Sequence, residues 1–196
     1  MMRFIFARSA ACEGRVRRRD IVFAALLLLL LAYVPKPSYA ASSCRNNGNL
    51  SVTVNSTGIN FGNYDVLSSG NTPGTGSITV SATCDRSGLP FTVVFNVALS
   101  TGGSGTFTPR TMTSGTATLQ YNLYTTAALT TIWGDGSSGT GTVSDQINGT
   151  CQFQIGNTGT VCSGGPQNDT IYGNIPALQD VVPGSYTDNI TVTVTF

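Results

Sequence analysis

A secreted all-β sandwich is the fold class this sequence predicts, and three observations predict it. Short stretches alternate apolar with small polar residues, which puts the apolar side chains on one face of a strand. Glycine- and asparagine-rich connectors separate those stretches at the spacing of strand turns. No stretch carries a convincing amphipathic helical pattern.

The first 40 residues differ in kind from the rest. Arg15, Arg17, Arg18 and Arg19 form a basic cluster, followed by an apolar run over residues 21–34 that holds six consecutive leucines. Ser38 and Ala40 then supply the small residues of a cleavage site, so residues 1–40 read as a signal peptide and Ala41 as the first mature residue. The run is shorter than the roughly 20 residues a transmembrane helix needs. The long extension ahead of the arginines leaves room for a different start codon. Residues 41–196 are expected to form one domain with its own core.

That domain is nearly free of positive charge. Arg45, Arg86 and Arg110 are its only basic residues, against seven aspartates, no glutamate and no histidine, a net charge of about −4. A nucleic-acid partner needs a basic footprint, and none is present.

The expected strands follow in order. Leu50, Val52 and Val54 share one face; Ile78, Val80 and Ala82 repeat the pattern and lead into Cys84. Phe91, Val93, Phe95, Val97 and Leu99 form the longest stripe, and Leu119, Tyr121 and Leu123 another. Residues 147–155 form a strand interrupted by Gly149, and residues 171–175 a short one ending at Pro176. Residues 68–76, 101–105 and 134–141 read as glycine-rich connectors, and Pro183-Gly184-Ser185-Tyr186 as the turn into the last strand.

That last strand shapes the functional reading. Ile190, Val192, Val194 and Phe196 alternate with threonines, and no later segment of the sequence pairs beyond them. Neither charge nor proline blunts this edge after Asp188, and an apolar unpaired edge invites another chain.

Cys12 leaves with the signal peptide. Cys44, Cys84, Cys151 and Cys162 remain, an even number in an exported chain, which allows two disulfides in three connectivities. Cys44–Cys84, tying the first strand to the next, and Cys151–Cys162, closing a short loop, are the favoured pairs. Zinc is the alternative, but the spacing is wrong and no histidine helps. No metal or cofactor is expected.

Several segments resemble the spore coat protein U domain family. They are Gly58-Ile59-Asn60-Phe61-Gly62-Asn63-Tyr64-Asp65, Gly76-Ser77-Ile78-Thr79-Val80-Ser81-Ala82-Thr83-Cys84, Arg110-Thr111-Met112, and Leu119-Gln120-Tyr121-Asn122-Leu123-Tyr124-Thr125. Thr131-Ile132-Trp133-Gly134-Asp135-Gly136, Ile171-Tyr172-Gly173-Asn174-Ile175-Pro176-Ala177 and Pro183-Gly184-Ser185-Tyr186-Thr187-Asp188 complete the set. The family includes subunits of archaic, Csu-type chaperone–usher pili. The resemblance implies an incomplete immunoglobulin-like Greek-key sandwich lacking its final strand. It implies as partners a periplasmic pilus chaperone that lends a strand, an outer-membrane usher, and sister pilin subunits in an adhesive surface fibre. It also implies passage through the periplasm to the cell surface, where host or abiotic surfaces are candidate targets. One departure stands out: Val52 occupies about the place of the family's first cysteine, and Cys44 lies some eight residues earlier. Only Ala41, Ser42 and Ser43 then precede Cys44, too few to donate a strand, which points to the fibre tip.

Other function classes have weaker support. Without mature histidine or lysine, histidine-based triads and lysine-assisted sites are unavailable, so an enzyme is not expected. Asp135 and Asp145 are the candidate paired carboxylates, but Asp135 lies between two glycines and reads as a turn residue. No Gly-Lys-Ser/Thr occurs in the glycine-rich loops to cradle a phosphate. Trp133 with Tyr124 is a candidate sugar-stacking pair, the basis of an alternative reading as a carbohydrate-binding adhesin or coat protein; core packing is the commoner role of a lone tryptophan. Asn55, Asn148, Asn168 and Asn189 begin glycosylation-type triplets, as chance predicts in so asparagine- and threonine-rich a chain.

Overall fold

The structure, a computed structural model, describes residues 49–85, 90–152 and 161–196. The expected signal peptide, Cys44, Arg45 and Arg86 lie outside the described residues, as does the far end of the 147–155 stretch. Eight strands are described: β1 Leu50–Thr57, β2 Thr72–Cys84, β3 Phe91–Leu99, β4 Arg110–Ser114, β5 Ala117–Tyr124, β6 Val143–Gln152, β7 Val161–Ile175 and β8 Val192–Thr195. The only described helix is a single 3₁₀ turn at Gly102–Ser104.

All pairings between the described strands are antiparallel, and the main sheet runs β1-β2-β7-β6-β3-β8. β2 and β7 pair along most of their length, with Thr72 opposite Ile175 at one end and Cys84 opposite Cys162 at the other. β7 changes its second neighbour part-way: residues 161–164 pair with β6, residues 172–174 with β5. β4 then pairs with β5. This partner switch folds the ladder over on itself, so the chain is an all-β, immunoglobulin-like sandwich. Ile78, Val80 and Ala82 of β2, Val93, Phe95, Val97 and Leu99 of β3, Leu119, Tyr121 and Leu123 of β5, and Ile147, Ile171 and Ile175 are buried in one core.

β3 matches its stripe: Phe91, Val93, Phe95, Val97 and Leu99 are all buried, with the residues between them less so. β7 departs from expectation, at fifteen residues instead of the five around Ile171. Its Gly164-Gly165-Pro166 forms a bulge. The register against β2 shifts between Val80 and Ala82, Gly165 takes φ +91°, and Pro166, with no N–H to give, sits where the ladder is interrupted. β2 likewise begins at Thr72, inside the stretch expected to be a connector. The last strand is shorter than expected: Ile190 precedes it, and Phe196 follows it, half exposed.

Cys151 and Cys162 face each other across β6 and β7 and are joined by a disulfide, 11 residues apart in sequence. Cys84 is disulfide-bonded as well, to a partner outside the described residues, where Cys44 also lies.

Candidate functional site: an open strand position

Among the described residues β1 pairs only with β2, and β8 only with β3, so each leaves one backbone edge free. Both edges carry apolar side chains facing the core. Leu50, Val52 and Val54 stand opposite Cys84, Ala82 and Val80, and residues directly opposite across a ladder share a face. Those three partners are fully buried, yet Leu50 and Val52 are only half-buried and Val54 is 40% exposed. On the other side Val192 and Val194 stand opposite Leu99 and Val97, which are buried, while the two valines are half-buried. Inward-facing side chains that remain partly wet on two facing edges mark a missing layer of packing, not a solvent face.

A cleft of about 210 Å³ opens at one end of this gap. Ser56, Thr57, Gly58, Ile59 and Phe61, where β1 ends and the chain continues, line it together with Asp188, Ile190 and Val192 from the run into β8. Leu99, Met112, Tyr121, Leu123 and Ile171 complete the lining.

The segment Gly58-Ile59-Asn60-Phe61 builds one wall by lying flat on a strip of glycines. A β-carbon on Gly74 would stand 2.7 Å from Ile59 and 2.8 Å from Phe61, and one on Gly173 would stand 2.6 Å from Phe61. Gly74 and Gly173 are paired across β2 and β7, so the two bare backbones form one flat seat for the aromatic ring. Phe61 then meets Tyr121 edge to face, with ring centroids 6.0 Å apart.

The other wall is anchored by Asp188. Its Oδ1 accepts hydrogen bonds from the Gly103 N–H and its own neighbour Asn189 N–H, both 2.8 Å, and its Oδ2 accepts the Tyr121 hydroxyl at 2.6 Å. Burial, and then this bond to Asp188, push the Tyr121 phenol far above its ordinary pKa. Gly102 leaves room for the carboxylate: it has φ +69°, and a β-carbon there would overlap Asp188. Behind Tyr121 lies the fully buried Arg110. Its guanidinium donates to the Ser100 carbonyl at 2.8 and 3.1 Å, to Asn122 Oδ1 at 2.8 Å and to the Trp133 carbonyl at 2.7 Å, and it rests on the Phe107 ring. Desolvation lowers the Arg110 pKa, opposed by the nearby Tyr121 and Asp188.

The structure corrects the sugar-stacking expectation. Trp133 is 0% exposed, its indole N–H is spent on the Val97 carbonyl at 3.0 Å, and its ring offers no face to a ligand. Tyr124 sits partly exposed at the end of β5, without a stacking partner in Trp133. Asp135 and Asp145 have separate duties. Asp135 accepts both the N–H and the hydroxyl of Ser137 in an exposed turn, which lowers its pKa. Asp145 accepts from Gln146 N and Gln167 Nε2. Asn148 and Asn168 hold cross-strand hydrogen bonds to Thr92 and Thr79. Of the edge residues read from sequence, Ile190 and Val192 line the cleft, Val194 continues its wall along β8, and Phe196 stands half exposed beyond. Ile59, Phe61, Tyr121 and Asp188 join the site only in the fold, although the apolar alternation at Ile59 and Phe61 is a sequence signal for the first two.

No curated protein matches this chain. Among solved structures it is similar to a chain of the CsuC–CsuE chaperone–tip adhesion subunit pre-assembly complex from archaic chaperone–usher Csu pili of Acinetobacter baumannii, at 21% identity and a TM-score of 0.43. The similarity covers 76% of this chain and 40% of that one. Residues 38–193 match the Spore Coat Protein U domain, and the chain belongs to that family.

Proposed function

We propose that this chain is a structural subunit of a chaperone–usher pilus, completed by a β-strand that another protein inserts between β1 and β8. The observation that carries this reading is the pair of facing edges whose core-directed side chains, Val52, Val54, Val192 and Val194, lack cover. An inserted strand bringing four or five large apolar side chains would contribute roughly 6–15 kcal/mol gross, at about 1.5–3 each, before the entropy of ordering it. Strand addition to an open edge is a recurring recognition mode that supplies main-chain hydrogen bonds as well. A periplasmic chaperone would fill the gap before assembly, and a sister subunit would fill it in the fibre, after passage through an outer-membrane usher. Residues 1–40 would direct export and be removed.

The pairing of β1 with β2 over residues 50–57 also favours a place at the fibre tip. Leu50, Val52 and Val54 are a candidate donor stripe, and they are engaged in the domain's own sheet. This subunit would accept a strand and donate poorly.

Co-expression tests the reading. Residues 41–196 alone should aggregate or swap with themselves, and co-expression with the cognate chaperone should give a soluble one-to-one complex. A stable monomer without partner, with Val54 and Val194 exchanging freely with solvent, would overturn it. For the tip assignment, a peptide covering residues 47–56 should fail to displace chaperone from any sister subunit; efficient displacement would make this an ordinary shaft subunit.

A further inference from the structure

The cleft lining contains one charged side chain, Asp188, among residues that are otherwise apolar or small and polar. A carboxylate offers about four lone-pair positions. Three are taken, two on Oδ1 by Gly103 and Asn189 and one on Oδ2 by Tyr121. The nearby cation does not take the fourth: the hydrogen bonds of Arg110 go to Ser100, Asn122 and Trp133. Among the described residues one acceptor position on Oδ2 is therefore left at the wall of the cleft, and an inserted strand would close it off from solvent.

We infer that Asp188 selects the register of the inserted strand by requiring a hydrogen-bond donor, most strongly a lysine ammonium, at the strand position that meets it. This rests on the strand-accepting reading above. The need for such a device follows from the period of the site. An alternating strand in an alternating groove can slip by two residues and keep every apolar side chain facing inward. Apolar packing along Val54, Val52 and Leu50 on one side and Val192 and Val194 on the other distinguishes such slips poorly. A single polar site at one end does distinguish them. An apolar residue opposite Asp188 would leave a buried acceptor unpaired, and an acidic one would add repulsion. A lysine there would form a charge-assisted hydrogen bond. The occupant is thus a strand of a second protein chain, apolar at alternate positions and carrying a donor at the Asp188 end.

The test is a lysine walk. Labelled peptides of about twelve residues, alternating valine and threonine and long enough at roughly 3.3 Å per residue to span the gap, are titrated against the chaperone-bound subunit, and their uptake in place of the chaperone is followed by fluorescence anisotropy. Lysine is then placed at each position in turn, with aspartate at the same positions as a second series. One lysine position should bind at least about tenfold more tightly than the unsubstituted parent, and aspartate there more weakly. Asp188→Asn keeps an acceptor for Gly103 and Asn189 and should erase the lysine advantage, bringing the best lysine peptide to within about threefold of the parent peptide on the same variant. A flat lysine walk with a parent that binds overturns the inference and leaves the strand-accepting reading intact. A lysine preference undiminished in Asp188→Asn also overturns it. Failure of every peptide, parent included, overturns both. If Asp188→Asn does not fold, the wild-type lysine and aspartate walks decide alone.

Discussion

At the scale of single residues, the sequence hid how its few charged groups are used. Arg110 is one of three basic residues in the expected mature domain, and composition alone suggests a solvated surface charge. In the fold it is a buried strut joining the Ser100 carbonyl, the Trp133 loop and Asn122 of β5. Arg110→Ala should therefore cost about 3–5 kcal/mol, because it strands several buried acceptors, and Arg110→Lys should recover only part of that, since lysine lacks the planar fork. Thermal unfolding of the strand-complemented domain measures both. Trp133 was legible only as a choice between core and surface, since one aromatic in a loop has no period to assign it. Asp169 shows the opposite kind of burial: its Oδ2 is buried without a hydrogen-bond partner among the described residues, and desolvation followed by the charge of Asp145 raises its pKa. The folded state thus holds the Asp169 proton more tightly than the unfolded chain does, so this group costs stability as pH rises from the ordinary carboxylate value through the raised one. Asp169→Asn should stabilise the domain at pH 7 and remove that part of the pH slope; a variant with unchanged melting at pH 7 would count against the assignment.

At the scale of elements, alternation identified β1, β3, β5 and the last strand, because each turns its alternate apolar side chains toward the core. It failed where a strand is made of residues chosen for absence of a side chain. Gly74 and Gly76 read as loop residues and Gly173 as part of a short strand, but all three lie inside β2 and β7 to seat Ile59 and Phe61. Gly149 read as an interruption of β6, yet it stands opposite Phe91, whose ring covers the space a β-carbon would need. Glycine in these strands is weak as local propensity and required by tertiary approach, which no short window of sequence can reveal. The seat has a functional consequence. Gly173→Val should lift Phe61 and distort the cleft wall, costing about 1–3 kcal/mol in stability and, more specifically, weakening strand insertion. Comparing peptide affinity with melting temperature separates the two effects: loss of stability with undiminished affinity would mean that the Phe61 wall does not contact the inserted strand. The Cys151–Cys162 disulfide acts at the same scale. It staples β6 to β7 beside the β7 bulge and closes a short loop, so Cys151→Ser with Cys162→Ser should cost about 2–3 kcal/mol in urea unfolding.

At the scale of the whole molecule, the described strands form a sheet brought nearly round on itself, with a gap between β1 and β8. Most proteins cover or blunt such edges, and this one keeps valine and isoleucine on them. The sequence disclosed one of the two edges, through the unblunted alternation of residues 190–196. The other edge, β1, looked like an ordinary strand, and only the fold places it across the gap. Two valines that are alike in sequence should therefore respond alike to charge, for a reason local structure does not supply. Val54 is 40% exposed in the open domain, and Val194 is half-buried, but each should become buried once a strand is inserted between them. Val54→Asp should cost the open domain little, since its carboxylate still reaches water. The same substitution should weaken strand or chaperone binding by about 100-fold or more, because insertion removes that water and the packing of a valine is lost as well. Thr53→Asp, one residue along β1 and on the opposite face, should change binding by less than about threefold. Equal effects of Val54→Asp and Thr53→Asp on binding would mean that the inserted strand does not lie over the inward face of β1, and that the gap between β1 and β8 is not where a partner completes the sheet.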